Sequence, residues 1–159
     1  MLDVHPHQVP FDEAEFAAYN RPGSGSIVGQ LGVVDPDKGK MRFGDRATVE
    51  LLPITSYTTE MVNRQLGQGT RLFPADSRLK KYVRTTTTDR QGNFAFSSLP
   101  AGDYYVFGDV EWNDQPLYPE YNQYQWGCER ITVRNGQVTR VMVSHNLNHG
   151  HAVLAYDKI

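Results

Sequence analysis

The sequence predicts an all-β protein, a seven- to eight-stranded antiparallel Greek-key β-sandwich. Residues 85–107 contain three runs rich in Thr, Phe, Tyr and Val, separated by DRQG at 89–92 and LPAG at 99–102. Asp favours turns because its side chain bonds to nearby backbone, and Pro and Gly because of the φ angles they adopt. Apolar side chains alternate within the runs, as half-buried antiparallel strands require. We therefore predict strand, hairpin turn, strand, corner and strand.

Turn signals continue through the rest of the chain at similar spacing, which is typical of a sandwich. Further strands are predicted over 26–34, 47–54, 129–134 and 137–144. The Asn-Gly pair at 135–136 is the strongest hairpin signal in the chain and joins the last two of them. One short helix is predicted between the two sheets over 58–67, with its cap at Thr58 or Thr59.

The length and the turn pattern together predict the domain organisation. A chain of 159 residues is long enough for a single domain with a buried core. Two prolines near the start predict an extended arm over 1–22, in which residues 11–19 have the composition of two helical turns. The domain proper is predicted over 23–159, with a tail from about residue 145 that adds an edge strand at 152–156.

Charge argues against a nucleic-acid partner, and hydropathy argues against a membrane-spanning segment. There are 16 Lys and Arg against 18 Asp and Glu, so the formal net charge is -2 and no nucleic-acid partner is expected. No apolar run reaches the length of a membrane span, so the chain is not expected to cross a membrane. The N-terminus has neither the basic nor the apolar region of a signal peptide.

Four segments, spread over roughly residues 24–144, read SGSIVGQ, TVELLP, TTTTDRQGNFAFSSLPAGDYYV and ERITVRNGQVTRVMV. They resemble the carboxypeptidase regulatory-like domain, a transthyretin-like or prealbumin-like seven-stranded sandwich. The segment PITSYTTE at 53–60, with Trp112, resembles a bacterial subgroup of envelope lipoproteins of unestablished activity. The resemblance implies an accessory or adhesive module in the cell envelope or outside the cell, without catalytic residues.

All the histidines lie near the two ends of the chain, at His5, His7, His145, His149 and His151. Each His-x-His pair places two imidazoles on one face of an extended segment, a spacing that suits Zn²⁺ or Cu²⁺. Because domain termini often lie close together, the two ends predict a shared metal site. The alternatives are solvated side chains and contact with a neighbouring subunit.

A second group of candidate residues is aromatic. Tyr118, Tyr121, Tyr124 and Trp126 fall in a loop predicted over 113–127. Exposed aromatic side chains on such a loop stack on sugar rings or anchor a protein interface. The alternative is that the loop folds back and buries these rings against the sandwich.

These observations favour a non-enzymatic binding or structural module, a subunit of an envelope or extracellular assembly with a protein partner or with itself. In that hypothesis the arm and the tail contact neighbouring subunits, because sandwich edges pair readily with extended segments. The first alternative is a metal-binding protein that uses the terminal histidines. The second is a carbohydrate-binding module that uses the aromatic loop at 118–126.

Overall fold

The computed structural model describes residues 3–66, 70–72 and 75–144. Within these ranges the α-helices are α1 (Glu13–Phe16) and α2 (Ser56–Met61). The strands are β1 (Asp3–His5), β2 (Gly25–Val34), β3 (Met41–Phe43), β4 (Thr48–Pro53), β5 (Thr70–Leu72), β6 (Arg84–Thr87), β7 (Asn93–Leu99), β8 (Gly102–Trp112), β9 (Gln123–Val133) and β10 (Val138–Val143). Short 3₁₀ segments follow α1 and precede β6 and β9.

Eight of these strands form two facing sheets, which confirms the predicted sandwich. In the first sheet, β2 pairs with β10 on one side and with β7 and β3 on the other. In the second sheet, the order is β6-β4-β8-β9 and every pair is antiparallel. The pairing of β10 with β2 is parallel, so the first sheet departs from the fully antiparallel prediction.

Two predicted hairpins are instead crossings between the sheets. The turn at 89–92 is present, with Asp89 accepting hydrogen bonds from the amides of Gln91 and Asn93, but β6 belongs to the second sheet and β7 to the first. The Asn-Gly turn at 135–136 likewise leads from β9 to β10 in the opposite sheet. Turn chemistry therefore set where the chain reverses, while burial of the apolar faces set which sheet the next strand joins.

The space between the sheets is filled by apolar side chains from both. Phe94 and Phe96 of β7 are buried there, as their alternation predicted. The inward row of β8 contributes Tyr104, Val106 and Val110. Gly92 lies at the rim with φ of 84°, and a Cβ there would lie 2.4 Å from the Leu31 carbonyl oxygen, so this turn requires glycine.

A helical layer covers the outer face of the second sheet. Most of its buried side chains come from the two helices and the segment before β6, and they include Phe16, Tyr57, Met61, Leu79 and Tyr82. They pack on the outward row of the sheet, including Leu52, Tyr105 and Phe107. Strand β8 is thus buried on both faces here, and not half-buried as predicted, and the predicted helix lies outside the sandwich rather than between its sheets.

Helix α2 begins earlier than predicted. Its N-cap is Thr55, which forms a capping box with Thr58, in place of the predicted cap at Thr58 or Thr59. None of the helices in the described ranges is long and apolar enough to cross a membrane.

The start of the chain contacts this helical layer. The carboxylate of Glu60 accepts hydrogen bonds from the backbone amides of Gln8 and Val9, at 3.0 and 3.2 Å. The ring of Phe11 stacks on Phe16 at 4.4 Å. Strand β1 pairs with β5 in parallel, so part of the predicted strand-free arm is a strand. Residues 8–19 therefore contribute to the fold of their own chain, while the predicted domain boundary at residue 22 stays a prediction.

Replacing Phe16 with alanine tests how far this segment is integrated. Phe16 is completely buried among Phe11, Tyr57 and Tyr82, so Phe16→Ala is expected to lower the free energy of unfolding by about 3–5 kcal/mol. Urea denaturation measures the change, and Ala18→Ser at an exposed position of the same segment is the matched control. A loss below about 1 kcal/mol for Phe16→Ala would mean that the segment is a separable arm.

Candidate functional site

A recess of about 480 Å³ opens on the outer face of the second sheet. Phe107 of β8 is still covered by the helical layer, whereas Asp109, the next residue of β8 on that face, lines the recess. Its lining is mainly polar and comes from the loop before β4, from β4 itself and from β8 and β9. The lining residues are Asp45, Arg46, Ala47, Thr48, Glu50, Asp109, Glu111 and Trp126.

Strand register places the functional side chains of the recess on one face. Asp109 lies opposite Trp126, and Glu111 lies opposite Tyr124. Because alternate residues of a strand point to the same side, Asp109 and Glu111 continue the outward row that holds Tyr105 and Phe107. The sheet therefore changes from apolar to acidic along a single row of β8.

The rim of the recess is held by the turn that follows β6. The hydroxyl of Thr88, a buried residue, donates to the Gly44 carbonyl at 2.6 Å and accepts from the Ala47 amide at 2.8 Å. Between them, Arg46 adopts φ of 52° and donates its amide to the Asp89 carbonyl at 3.2 Å. A left-handed backbone at a residue other than glycine is unusual, and such strain concentrates at binding and catalytic sites.

Asp109 is an acidic group that lines the recess and is perturbed by its surroundings. Its Oδ1 atom is buried and has no hydrogen-bond partner in the part of the chain that the structure describes. Burial, followed by the charge of Glu111, raises the pKa of Asp109 to about 7. An acid with a raised pKa that lines a recess is a recognised mark of a functional site.

The recess has one aromatic wall. Trp126 is largely buried, with its ring 6.0 Å from that of Phe107, and its remaining surface lines the recess. Tyr124 precedes it on the same face and is half-buried. Both residues belong to β9, which begins at Gln123, so the predicted loop over 113–127 ends at residue 122. Trp126 therefore fits the alternative prediction, in which the aromatic rings are buried against the sandwich.

The other two predicted aromatic residues are exposed at a loop tip. Tyr118 and Tyr121 are 51% and 50% exposed, and their rings meet edge to face at 6.0 Å. Leu117 beside them is 87% exposed. The side chain of Asn113 donates to the Tyr118 carbonyl at 3.1 Å and accepts from the Gln115 amide at 2.7 Å. The loop over 113–122 therefore presents its aromatic tip in a fixed conformation.

An ion-pair cluster fastens the base of this loop to the first sheet. Arg42 of β3 donates to both Asp35 and Asp114, and its guanidinium lies 5.4 Å from the Trp112 ring centroid. Hydrogen bonds from Arg42 and then Lys38 hold the pKa of Asp114 well below its usual range. Asp35 is buried, so its charge depends on Arg42 and on nearby backbone amides.

The structure describes two of the five histidines predicted as metal ligands. His7 stacks on Tyr57 at 4.4 Å, and its Nδ1 lies 3.1 Å from the Glu60 carboxylate. Burial lowers the pKa of His7. No group of three or more His, Cys, Asp or Glu residues within the described ranges is arranged to hold a metal ion.

The remaining three histidines lie outside the described residues, at His145, His149 and His151. The edge strand predicted over 152–156 lies outside them as well. The shared terminal metal site stays a prediction.

Comparison with known proteins finds similarity at the level of structure. No family model and no curated protein matches the chain. A crystal structure from Pseudomonas aeruginosa, provisionally described as a carbohydrate binding protein, aligns with a TM-score of 0.72 and 27% identity over 86% of this chain and 99% of that one. BcpA, the major pilin subunit of Bacillus cereus, aligns with a TM-score of 0.42 and 15% identity over 78% of this chain and 30% of that one. The first match shares the β-sandwich fold along 86% of this chain and nearly the full length of that one.

The acidic residues of the recess were missed in the sequence, although a signal was present. The run YYVF at 104–107 is apolar at every position, which indicates a strand buried on both faces. Asp109 and Glu111 then interrupt the outward row while Val110 continues the inward one. When charged residues follow a strand segment that is apolar on both faces, they indicate a site where the layer that covers the outer face ends.

Replacing Asp109 with asparagine tests the electrostatics of the recess. The pKa of Asp109 is raised from 3.8 to about 7 on folding, so its contribution to stability is complete below about pH 4 and is lost as pH rises through about 7. Asparagine cannot ionise, so Asp109→Asn is expected to be more stable than the parent at about pH 8. After allowance for solvent screening, the difference is on the order of 1–2 kcal/mol and disappears near pH 4.

Urea denaturation across this pH range measures the effect. Glu120→Gln, at an exposed position of the tip loop, is the control and is expected to show no such pH dependence. A difference between Asp109→Asn and the parent that stays constant with pH would contradict the perturbed carboxyl.

Replacing Arg42 with alanine tests the anchoring of the tip loop. Without the guanidinium, Asp114 keeps only Lys38 and the buried Asp35 loses its cation. The amides of residues 113–122 are expected to exchange with deuterium about tenfold faster, while those of β8 keep their protection. Arg46→Ala, which removes an exposed arginine from the recess, is the control. Unchanged exchange in 113–122 would show that the loop's own hydrogen bonds suffice.

Proposed function

We propose that the protein is a non-enzymatic β-sandwich that binds carbohydrate in the recess of the second sheet, as a module of the cell envelope or of an extracellular assembly. The observation that carries this proposal is the pairing of Trp126, an aromatic wall, with the carboxyl of Asp109, which lies opposite it. Sugar recognition needs both parts, an apolar surface for the C–H face of the ring and polar groups for its hydroxyls.

The polar lining suits hydroxyl ligands in particular. Carboxylates accept hydrogen bonds, and Asp109 and Glu111 project from one row, while Thr48 and Arg46 supply donors on the facing wall. A ligand donor at Asp109 would stabilise the charged form of a carboxyl that burial disfavours. A volume of about 480 Å³ also falls within the range of small-molecule sites, roughly 300–1,000 Å³.

The comparisons support this proposal more than its alternatives. The Pseudomonas protein, whose provisional description is carbohydrate binding, matches over nearly its whole length. Location in the envelope or outside the cell rests on the resemblance to the carboxypeptidase regulatory-like domain. The site proposed here differs from the loop first expected, because Trp126 lines the recess whereas Tyr118 and Tyr121 lie at the exposed tip.

A second candidate function is a protein contact through that tip. Leu117, Tyr118 and Tyr121 are exposed on a loop whose conformation is already fixed, so little conformational entropy would be lost on binding. Tyrosine is also enriched among the residues that dominate protein interfaces. The tip is therefore the proposed contact with a protein partner or a second copy of the chain.

Glycan binding by matched variants separates these sites. Glycan-array screening followed by calorimetry is expected to give ligands whose affinity falls about tenfold or more in Asp109→Asn and in Glu111→Gln, since each loses a charge-assisted hydrogen bond. Tyr121→Ser at the tip and Glu120→Gln beside it are expected to bind as the parent does. Loss of binding in Tyr121→Ser alone would move the site to the tip, and no glycan binding by the parent would contradict the proposal.

A further inference from the structure

The acidic residues of the recess bear on which class of sugar it would bind. Asp109 and Glu111 are two residues apart on one strand and face the same side. The charge of Glu111 raises the pKa of Asp109 in the same direction as burial does. Together with the carboxyl groups of Asp45 and Glu50 in the same lining, these two residues make the recess locally negative.

Arg46, the basic residue in the lining of the recess, does not neutralise this pair. Arg46 lines the recess, but its side chain is 66% exposed and lies 4.0 Å from the carboxylate of its neighbour Asp45. Neither Asp109 nor Glu111 makes an ion pair within the described part of the chain. The lining thus provides hydrogen-bond acceptors, negative charge and an aromatic wall. A positive charge that balances Asp109 and Glu111 would come from the ligand.

Resting on the proposed carbohydrate site, we infer that the recess selects amino sugars with a free, protonated amine over their N-acetylated forms and excludes uronic acids. A protonated amine donates hydrogen bonds to the carboxylates of Asp109 and Glu111 and brings the opposite charge, which favours the ionised form of Asp109. An N-acetyl group supplies one neutral donor and a bulky acceptor. A uronate adds a further carboxylate to this acidic lining, which like-charge repulsion disfavours, so the same residues provide attraction and rejection.

Three oligosaccharides of matched length test this inference by calorimetry at neutral pH and low salt. They are a glucosamine tetramer, an N-acetylglucosamine tetramer and a galacturonate tetramer. The parent is expected to bind the glucosamine tetramer at least about tenfold more tightly than the acetylated one, the difference that one charge-assisted contact provides. No binding of the galacturonate tetramer is expected.

Variants assign the preference to the recess. The double variant Asp109→Asn, Glu111→Gln is expected to bind the two glucosamine-based oligomers equally, whereas Glu120→Gln, which removes a carboxylate outside the recess, keeps the preference. Thermal unfolding of each variant verifies that it is folded. An equal loss of preference in Glu120→Gln would show non-specific attraction to an acidic surface and overturn the inference.

The remaining outcomes separate this inference from the proposed function. Equal binding of the amine and acetyl oligomers by the parent, weakened in the double variant, would overturn the amine preference and leave the carbohydrate site standing. If the parent bound the galacturonate tetramer most tightly, that result would likewise overturn the amine preference and leave the carbohydrate site standing. Absence of binding to these three oligomers and to every glycan of the array would overturn both.

Discussion

The packing of β8 on both faces is the constraint on which the rest of the structure depends. The strand pairs with β4 on one side and β9 on the other, so its backbone lies in the middle of the second sheet. Tyr104 and Val106 face the first sheet, and Tyr105 and Phe107 face the helical layer. Each large apolar side chain buried in this way contributes about 1.5–3 kcal/mol, so both layers are held to the same strand.

The recess exists because this two-sided cover ends within the strand. Beyond Phe107 the outward row becomes acidic, and the loop that carries Arg46 closes the opposite wall through Thr88. The inward row continues with Val110, so the sandwich core is uninterrupted beneath the site. A rigid scaffold therefore positions the carboxyl of Asp109, and the unfavourable burial of that group is offset by the apolar packing around it.

The sequence predicted local features better than the relation between distant ones. Alternation identified the faces of Phe94 and Phe96 correctly, and the turn signals at 89–92 and 135–136 each marked a true reversal. The Asn-Gly pair at 135–136 could not reveal that β10 pairs with β2, because turn chemistry is local whereas the choice of sheet depends on burying Val143 against the core. The class was thus predictable, but two of the connections were not.

The candidate site was predicted only in part, and the reason is the same: it depends on a relation between distant residues. Composition drew attention to four aromatic residues, yet Trp126 lines an acidic recess, Tyr124 precedes it on the same face of β9, and the other two project from a loop tip. What separates them is strand register, which brings Trp126 opposite Asp109 from a position 17 residues away. A row of β8 that changes from apolar to acidic is readable in a sequence only once the strand is known to be covered on both faces.

The most direct test of this account is a map of the backbone amide shifts that change when the parent protein is titrated with an oligosaccharide that it binds. We expect the largest changes to cluster at Thr48, Asp109, Glu111 and Trp126, which line the recess from both walls. Changes that cluster instead at residues 117–121, with the recess unaffected, would contradict it.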